Sequence, residues 1–260
     1  MSCSTRLAYT YADWWLEWQV EDLVELNDEQ EDKLSALIDD FFTWHKNNEL
    51  PEYAQLLRDF DHAIEKQNTS LFLKKYQELP LVWQRSSAYI APKLIGLMDE
   101  LTQQQKLELV ENLELKQQEQ HEKWQEEAEQ ETNEDRMERR VENLERWLGH
   151  VTPEQLESFT SLMAKTKPTM QDRIEARQQW LVAFETALIS KPMDEMELRR
   201  LITDINYKRT KAHQDKSDFN RELFQNWFAQ QLGQLSQEQR DNVSDEIADY
   251  LADIDYLAAR

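Results

Sequence analysis

The stretch YAQLLRDFDHAI, residues Tyr53–Ile64, decides the fold class. Its apolar positions, Tyr53, Leu56, Leu57, Phe60 and Ile64, recur at helical intervals, so a 3.6-residue period gathers them on one face. The same pattern appears on either side. Leu34, Leu37, Ile38, Phe41 and Trp44 share a face, as do Ile174, Leu181, Phe184 and Leu188, and then Val243, Ile247, Tyr250, Leu251 and Ile254. No segment keeps the period-two alternation of a half-buried strand. Only three glycines and six prolines occur among 260 residues, too little turn chemistry for a β-rich chain. Nine Trp, nine Phe and eight Tyr supply enough apolar area for a substantial core. The expected fold is all-α: an elongated bundle of about 8–11 helices with one highly charged projecting helical segment.

A short motif marks where helices begin. It occurs as Leu26-Asn27-Asp28-Glu29-Gln30, Leu101-Thr102-Gln103-Gln104-Gln105, Val151-Thr152-Pro153-Glu154-Gln155 and Leu235-Ser236-Gln237-Glu238-Gln239. Each places a cap residue (Asn27, Thr102, Thr152 or Ser236) three positions before a glutamine. The cap side chain accepts from the N3 amide while the glutamine reaches back to the cap amide. Pro153 suits the first helical position, and Val151 is placed to staple onto Leu156. Gly149 and Gly233 each precede a cap by three residues, where a left-handed glycine ends the previous helix. The copies are irregularly spaced, which argues against a solenoid.

Further boundaries are expected at Leu50-Pro51, at a Thr69-Ser70 cap pair, at Lys165–Thr169, at Ser190-Lys191-Pro192 and at His213–Ser217. Pro92 either kinks or ends a helix. Lys116–Arg140 carries only Trp124, Ala128 and Met137 as apolar residues, with i,i+4 pairs such as Glu119–Lys123 and Asp135–Arg139. It reads as a solvated projecting helix, or as a helical pair with its tip near Glu131-Thr132-Asn133. The expected organisation is an anchor and linker at 1–8, helical subdomains at 9–115 and 141–260, and the charged segment 116–140 between them.

The formal net charge of −22 opposes nucleic acid and anionic lipid surfaces, so neither is an expected partner; basic or neutral partners remain. No catalytic or metal site is found. His121-Glu122-Lys123-Trp124-Gln125 begins like a zincin helix, but Gln125 stands where the second histidine belongs. No histidine follows a glutamate by three positions, as di-metal bundles require. Neither nucleophile-elbow nor phosphate-loop glycine patterns occur. No cofactor is expected, and the chain is not expected to be an enzyme. Trp14, Trp15 and Trp18 carry two readings: Trp14 and Trp18 pack into the core with Trp15 half exposed, or the cluster meets a membrane interface or partner. Trp227 and Phe228, beside Leu223 and Phe224, read as core.

Cys3 is the single cysteine, so no intramolecular disulfide forms. The run Cys3-Ser4-Thr5-Arg6-Leu7-Ala8-Tyr9 resembles the start of a mature bacterial lipoprotein, in which the cysteine carries the lipid. WHKNNELPEYAQLL (44–57), RMERRVENLERWLGHVTPEQLESF (136–159), Arg177–Leu188 and Phe219–Leu257 are similar to a family of proteobacterial helical lipoproteins known only as a domain of unknown function. The Leu-Thr-x-x-Gln helix starts also resemble those of small periplasmic chaperones. The resemblance implies a periplasmic protein held at the outer membrane through Cys3; without a lipoprotein signal the chain would be cytoplasmic. The expected function is non-catalytic binding of other proteins, basic or partly unfolded, as a chaperone-like holder. Trp14, Trp15, Trp18, Glu126, Glu127 and Glu129 form the candidate surface. The alternative is an architectural envelope component with one dedicated partner, and an enzyme of unrecognised class is the third reading.

Overall fold

A computed structural model of the protein describes Arg6, Tyr9 and residues 11–259, apart from the side chain of Ala128. The described residues form ten helices and no strand: α1 Ala12–Glu21, α2 Asp28–Glu65, α3 Thr69–Asp99, α4 Gln103–Gln130, α5 Asn133–Leu148, α6 Pro153–Lys165, α7 Met170–Ile189, α8 Glu195–Thr203, α9 Lys211–Leu232 and α10 Gln237–Ala258.

The spine is the antiparallel pair α2 and α3. At 38 residues, α2 is about 57 Å long at 1.5 Å per residue. Cross-links fall one after another along the pair: Lys33 with Glu100, Asp40 with Lys93, Glu49 with Arg85, and Lys75 with Asp59. Trp44 stacks on Tyr89 at 4.1 Å between ring centres. Helices α4, α7 and α8 gather at the open end of this hairpin, and α5, α6, α9 and α10 at its turn.

Each end has its own core. Val24, Ile95, Leu101, Leu109, Phe184, Leu188, Leu198 and Leu201 pack at the open end. At the turn, Ile64, Leu148, Leu232, Leu235, Val243 and Ile247 form a second cluster, and Phe159, Leu162, Met163 and Trp227 a third. Both ends therefore draw on early and late parts of the chain, and the boundaries expected after residues 115 and 140 fall inside α4 and α5.

All four motifs are capping boxes that begin α2, α4, α6 and α10. They also meet in pairs. Gln30 and Gln105 exchange side-chain amide hydrogen bonds of 3.2 and 2.7 Å, and Gln155 and Gln239 do so at 3.3 and 2.8 Å. Gln105 donates further to the Glu25 carbonyl, Gln30 to that of Glu100, and Gln239 to that of His150. Gln30, Gln155 and Gln239 are buried. One pair thus closes each end of the spine.

Several local expectations are corrected. Pro51 lies inside α2, against the boundary expected there; Pro92 lies inside α3, as Pro80 does, so of its two readings it does not end a helix. An interior proline costs about 3 kcal/mol. Here Leu50 and Ala54 are buried on either side of Pro51, and Arg85 grips the buried Glu49 through both carboxylate oxygens at 2.8 Å, so packing holds the helix together. Asn68, not Thr69, caps α3, accepting from the Leu71 amide. No break occurs at His213–Ser217, because Thr210 caps α9 by accepting from the His213 amide. Gly149 adopts the left-handed region (φ +74°), where a Cβ would also approach Asn242 to 3.0 Å, but Gly233 stays right-handed (φ −72°). Leu156 is exposed, while Val151 turns to the second core. The charged segment is a helical pair, and Thr132 with Asp135 makes a fifth capping box.

The early residues are tied to the bundle. Arg6 reaches the buried Asp253 of α10 at 2.6 Å. The Tyr9 hydroxyl meets His45 Nδ1 at 2.8 Å, and Tyr53 meets Nε2 at 3.1 Å. Burial pushes both tyrosine hydroxyls up and His45 down.

Two outcomes follow from these contacts. Gln239→Glu keeps the shape but puts a carboxylate against the Gln155 oxygen in a buried site; it is expected to cost about 3 kcal/mol or more, against about 0.5–2 kcal/mol for Thr152→Ala, both read by urea unfolding. His45, held neutral by burial, contributes stability that is full above its ordinary value of 6.5 and declines as pH falls below it. The stability lost between about pH 7 and about pH 5 is therefore expected to be smaller in His45→Gln than in the wild type.

Candidate functional site

Two different features carry the exposed and concave apolar surface. The first is α1. Trp14 is 64%, Trp15 50% and Trp18 49% exposed, so the core-packing reading of Trp14 and Trp18 is corrected. The reason is geometric: α1 docks by Val20 at its C-terminal end, and Leu23 follows it onto the first core, leaving the indoles on other faces. Lys116 of α4 fixes the helix by contacting Gln19 and Asp22. Glu126, Glu127 and Glu129 are exposed farther along α4, about 15–20 Å from Lys116 at 1.5 Å per residue. The candidate residues thus divide into a tryptophan face and a separate acidic stretch. Cys3 lies outside the described residues.

The second feature is a partly open cavity of about 1090 Å³ between the second and third cores. Helix α2 contributes Leu57, Phe60 and Ile64, α5 Leu144, Trp147 and Leu148, α6 Phe159 and Met163, and α9 Phe224, Trp227 and Phe228. Amphipathic faces of five or more helices converge there without closing. Trp227 donates to Ser158 at 3.0 Å, whereas the buried Gln231 Oε1 in the same wall has no hydrogen-bond partner.

The rim reverses the sign of the molecule. Arg136, Arg139, Arg140, Lys167 and Arg173 line the cavity with only two carboxylates, Glu127 and Glu131, in a chain whose acids outnumber its bases 52 to 30. Glu131 pairs with Arg139 and lies 3.8 Å from Arg136. Arg140 faces the Met163 sulfur at 3.3 Å, Lys167 lies over the Phe219 ring at 4.0 Å, and Arg173 closes the set; among the described residues these three make no ion pair with a carboxylate. The Arg209 guanidinium is pushed down by burial and by Arg221 and Arg173, and the buried His213 is pushed down by burial and then by Arg209.

Sequence reasoning named Glu127 only as part of an acidic surface with the tryptophans, and missed the cavity and its rim. The available signal was Arg136-Met137-Glu138-Arg139-Arg140, a basic run inside an acidic segment. A smaller cavity of about 240 Å³ holds His121, Trp124 and Arg177. Among the described residues no group of three His, Cys, Asp or Glu side chains is arranged to hold a metal ion, and no helix is long and apolar enough to cross a membrane.

The class defined by these observations is an all-helical bundle with an apolar, cation-rimmed cavity. The profile of a family of unknown function (DUF6279) matches residues 22–214, and the chain belongs to that family. No curated protein and no solved structure matches the chain.

Filling a packed core normally costs about 1–3 kcal/mol. Leu144 borders the open volume, so Leu144→Phe is expected to stabilise by about 0.5–2 kcal/mol instead, seen as a rise in Tm.

Proposed function

We propose that the protein is a non-catalytic periplasmic lipoprotein, anchored through Cys3, that binds partly unfolded or basic proteins as a chaperone-like holder. The observation that carries this reading is the set of three neighbouring indoles on α1, each about half exposed or more on a helix held in place by Lys116. Exposed aromatic groups on a docked helix bind apolar segments at low entropic cost, because the helix is already ordered. The acidic surface adds long-range attraction for basic segments, screened over ~10 Å at 0.1 M salt. The lipoprotein reading draws on the Cys3-Ser4-Thr5 start, and the chaperone reading on the Leu-Thr-x-x-Gln helix starts.

The purified protein is expected to suppress aggregation of several unrelated unfolded clients at near-equimolar ratio without ATP. Trp14→Ser/Trp15→Ser/Trp18→Ser should lose most of that effect with little change in Tm, since α1 docks on the core through Val20 and not through the indoles. Added salt should weaken binding of basic clients. Unchanged aggregation across clients, with one envelope protein co-purifying tightly, would establish the dedicated architectural component in its place.

A further inference from the structure

We propose that the cavity bounded by α2, α5, α6, α9 and α10 is a binding site for a single-chain anionic lipid, the acyl chain lying between the second and third cores and the carboxylate or phosphate head at the α7 rim. The site is separate from the α1 face.

The volume supports this first. Ligand cavities commonly measure roughly 300–1,000 Å³, and about 1090 Å³ lies just above that range, room enough for a long chain. It is lined by side chains such as Phe60, Trp147, Phe159 and Trp227, which favour a long apolar chain over a polar metabolite.

The rim selects the head. Lys167 and Arg173 make no ion pair with a carboxylate among the described residues and flank the start of α7, whose cap residue Thr169 makes no side-chain hydrogen bond to the first-turn amides. Thr169 and Met170 themselves line the cavity, so the positive end of a 20-residue helix faces it. Asp172 in that first turn is held by Lys216 at 2.6 Å, which offsets its charge. Glu131 is engaged by Arg139 and lies near Arg136, leaving Glu127 as the other acid on the rim. An anionic head is the charge complement of this surface, although the molecule as a whole is strongly acidic.

The test is calorimetric titration of the full chain below the micelle threshold. The probes are palmitate, a lysophosphatidate, hexadecanol and a cationic alkyltrimethylammonium of matched length. Binding of either anionic probe, tightening by about fourfold per added methylene as buried CH₂ groups dictate, supports the site. A stronger response to lysophosphatidate than to palmitate assigns the head as phosphate; the reverse order assigns a carboxylate. Lys167→Glu/Arg173→Glu should weaken the anionic probes by about tenfold or more and leave hexadecanol unchanged. Leu144→Trp should block every probe, with circular dichroism confirming the fold, and the α1 triple variant should bind lipid as the wild type does. Equal affinity for anionic and cationic probes, no binding of any amphiphile, or capture of apolar peptides in preference to lipid would overturn the proposal.

Discussion

Two glutamine pairs set the constraint on which the fold depends. At each end of the spine two helix N-termini meet, α2 with α4 and α6 with α10, bringing together partial positive charges and unpaired backbone amides. A glutamate at the third helical position is the usual partner in a capping box, but two buried glutamates would confront each other with acceptors only. Glutamine resolves both demands. Its oxygen accepts from its own cap amide and from the partner's amide, while its nitrogen donates to the partner. The box at Thr132 shows the rule by contrast: it is exposed and meets no second box, and its third position is Asp135.

Fixing the two ends leaves the middle to the spine. Glu49 and Arg85 bind α2 to α3 near Pro51, where the backbone ladder is weakest, and the buried carboxylate is tolerated because the guanidinium meets both oxygens. At the turn end, the Gln155–Gln239 pair holds the starts of α6 and α10 at a set separation. Helices α5 and α9 must then bridge the space between them, and their aromatic side chains line it without filling it. The cavity is in this sense a product of the corner geometry.

Much of the fold was legible because its signals are local. Period 3.6 in Tyr53–Ile64 and the Asn27, Thr102, Thr152 and Ser236 boxes each depend on residues within a few positions. The failures arose where a distant contact outweighed a local cost. Pro51 should break a helix, yet Glu49 is held by Arg85 of α3 and Leu50 is buried; His213 falls in a polar run, yet it is buried behind a Thr210 cap. The glutamine pairing joins residues 75 and 84 positions apart, a distance no motif scan crosses. The tryptophans on α1 resisted for the opposite reason: an amphipathic helix is assumed to bury its largest side chains, and this one docks through Val20.

The cavity was the least visible feature, since its wall gathers residues from Leu57 to Ile247 and its rim combines Arg140 with Lys167 and Arg173. Net charge conceals such a site rather than revealing it. A charge of −22 averaged over the chain describes the field at a distance, but a ligand within a few ångströms meets the local side chains, because solvent and salt screen the remainder. An acidic outer surface and a locally cationic rim are therefore compatible in one molecule. These demands do not compete, because the acids lie mostly on exposed helix faces, whereas Lys167 and Arg173 stand beside the one helix start on this cavity that lacks a side-chain cap.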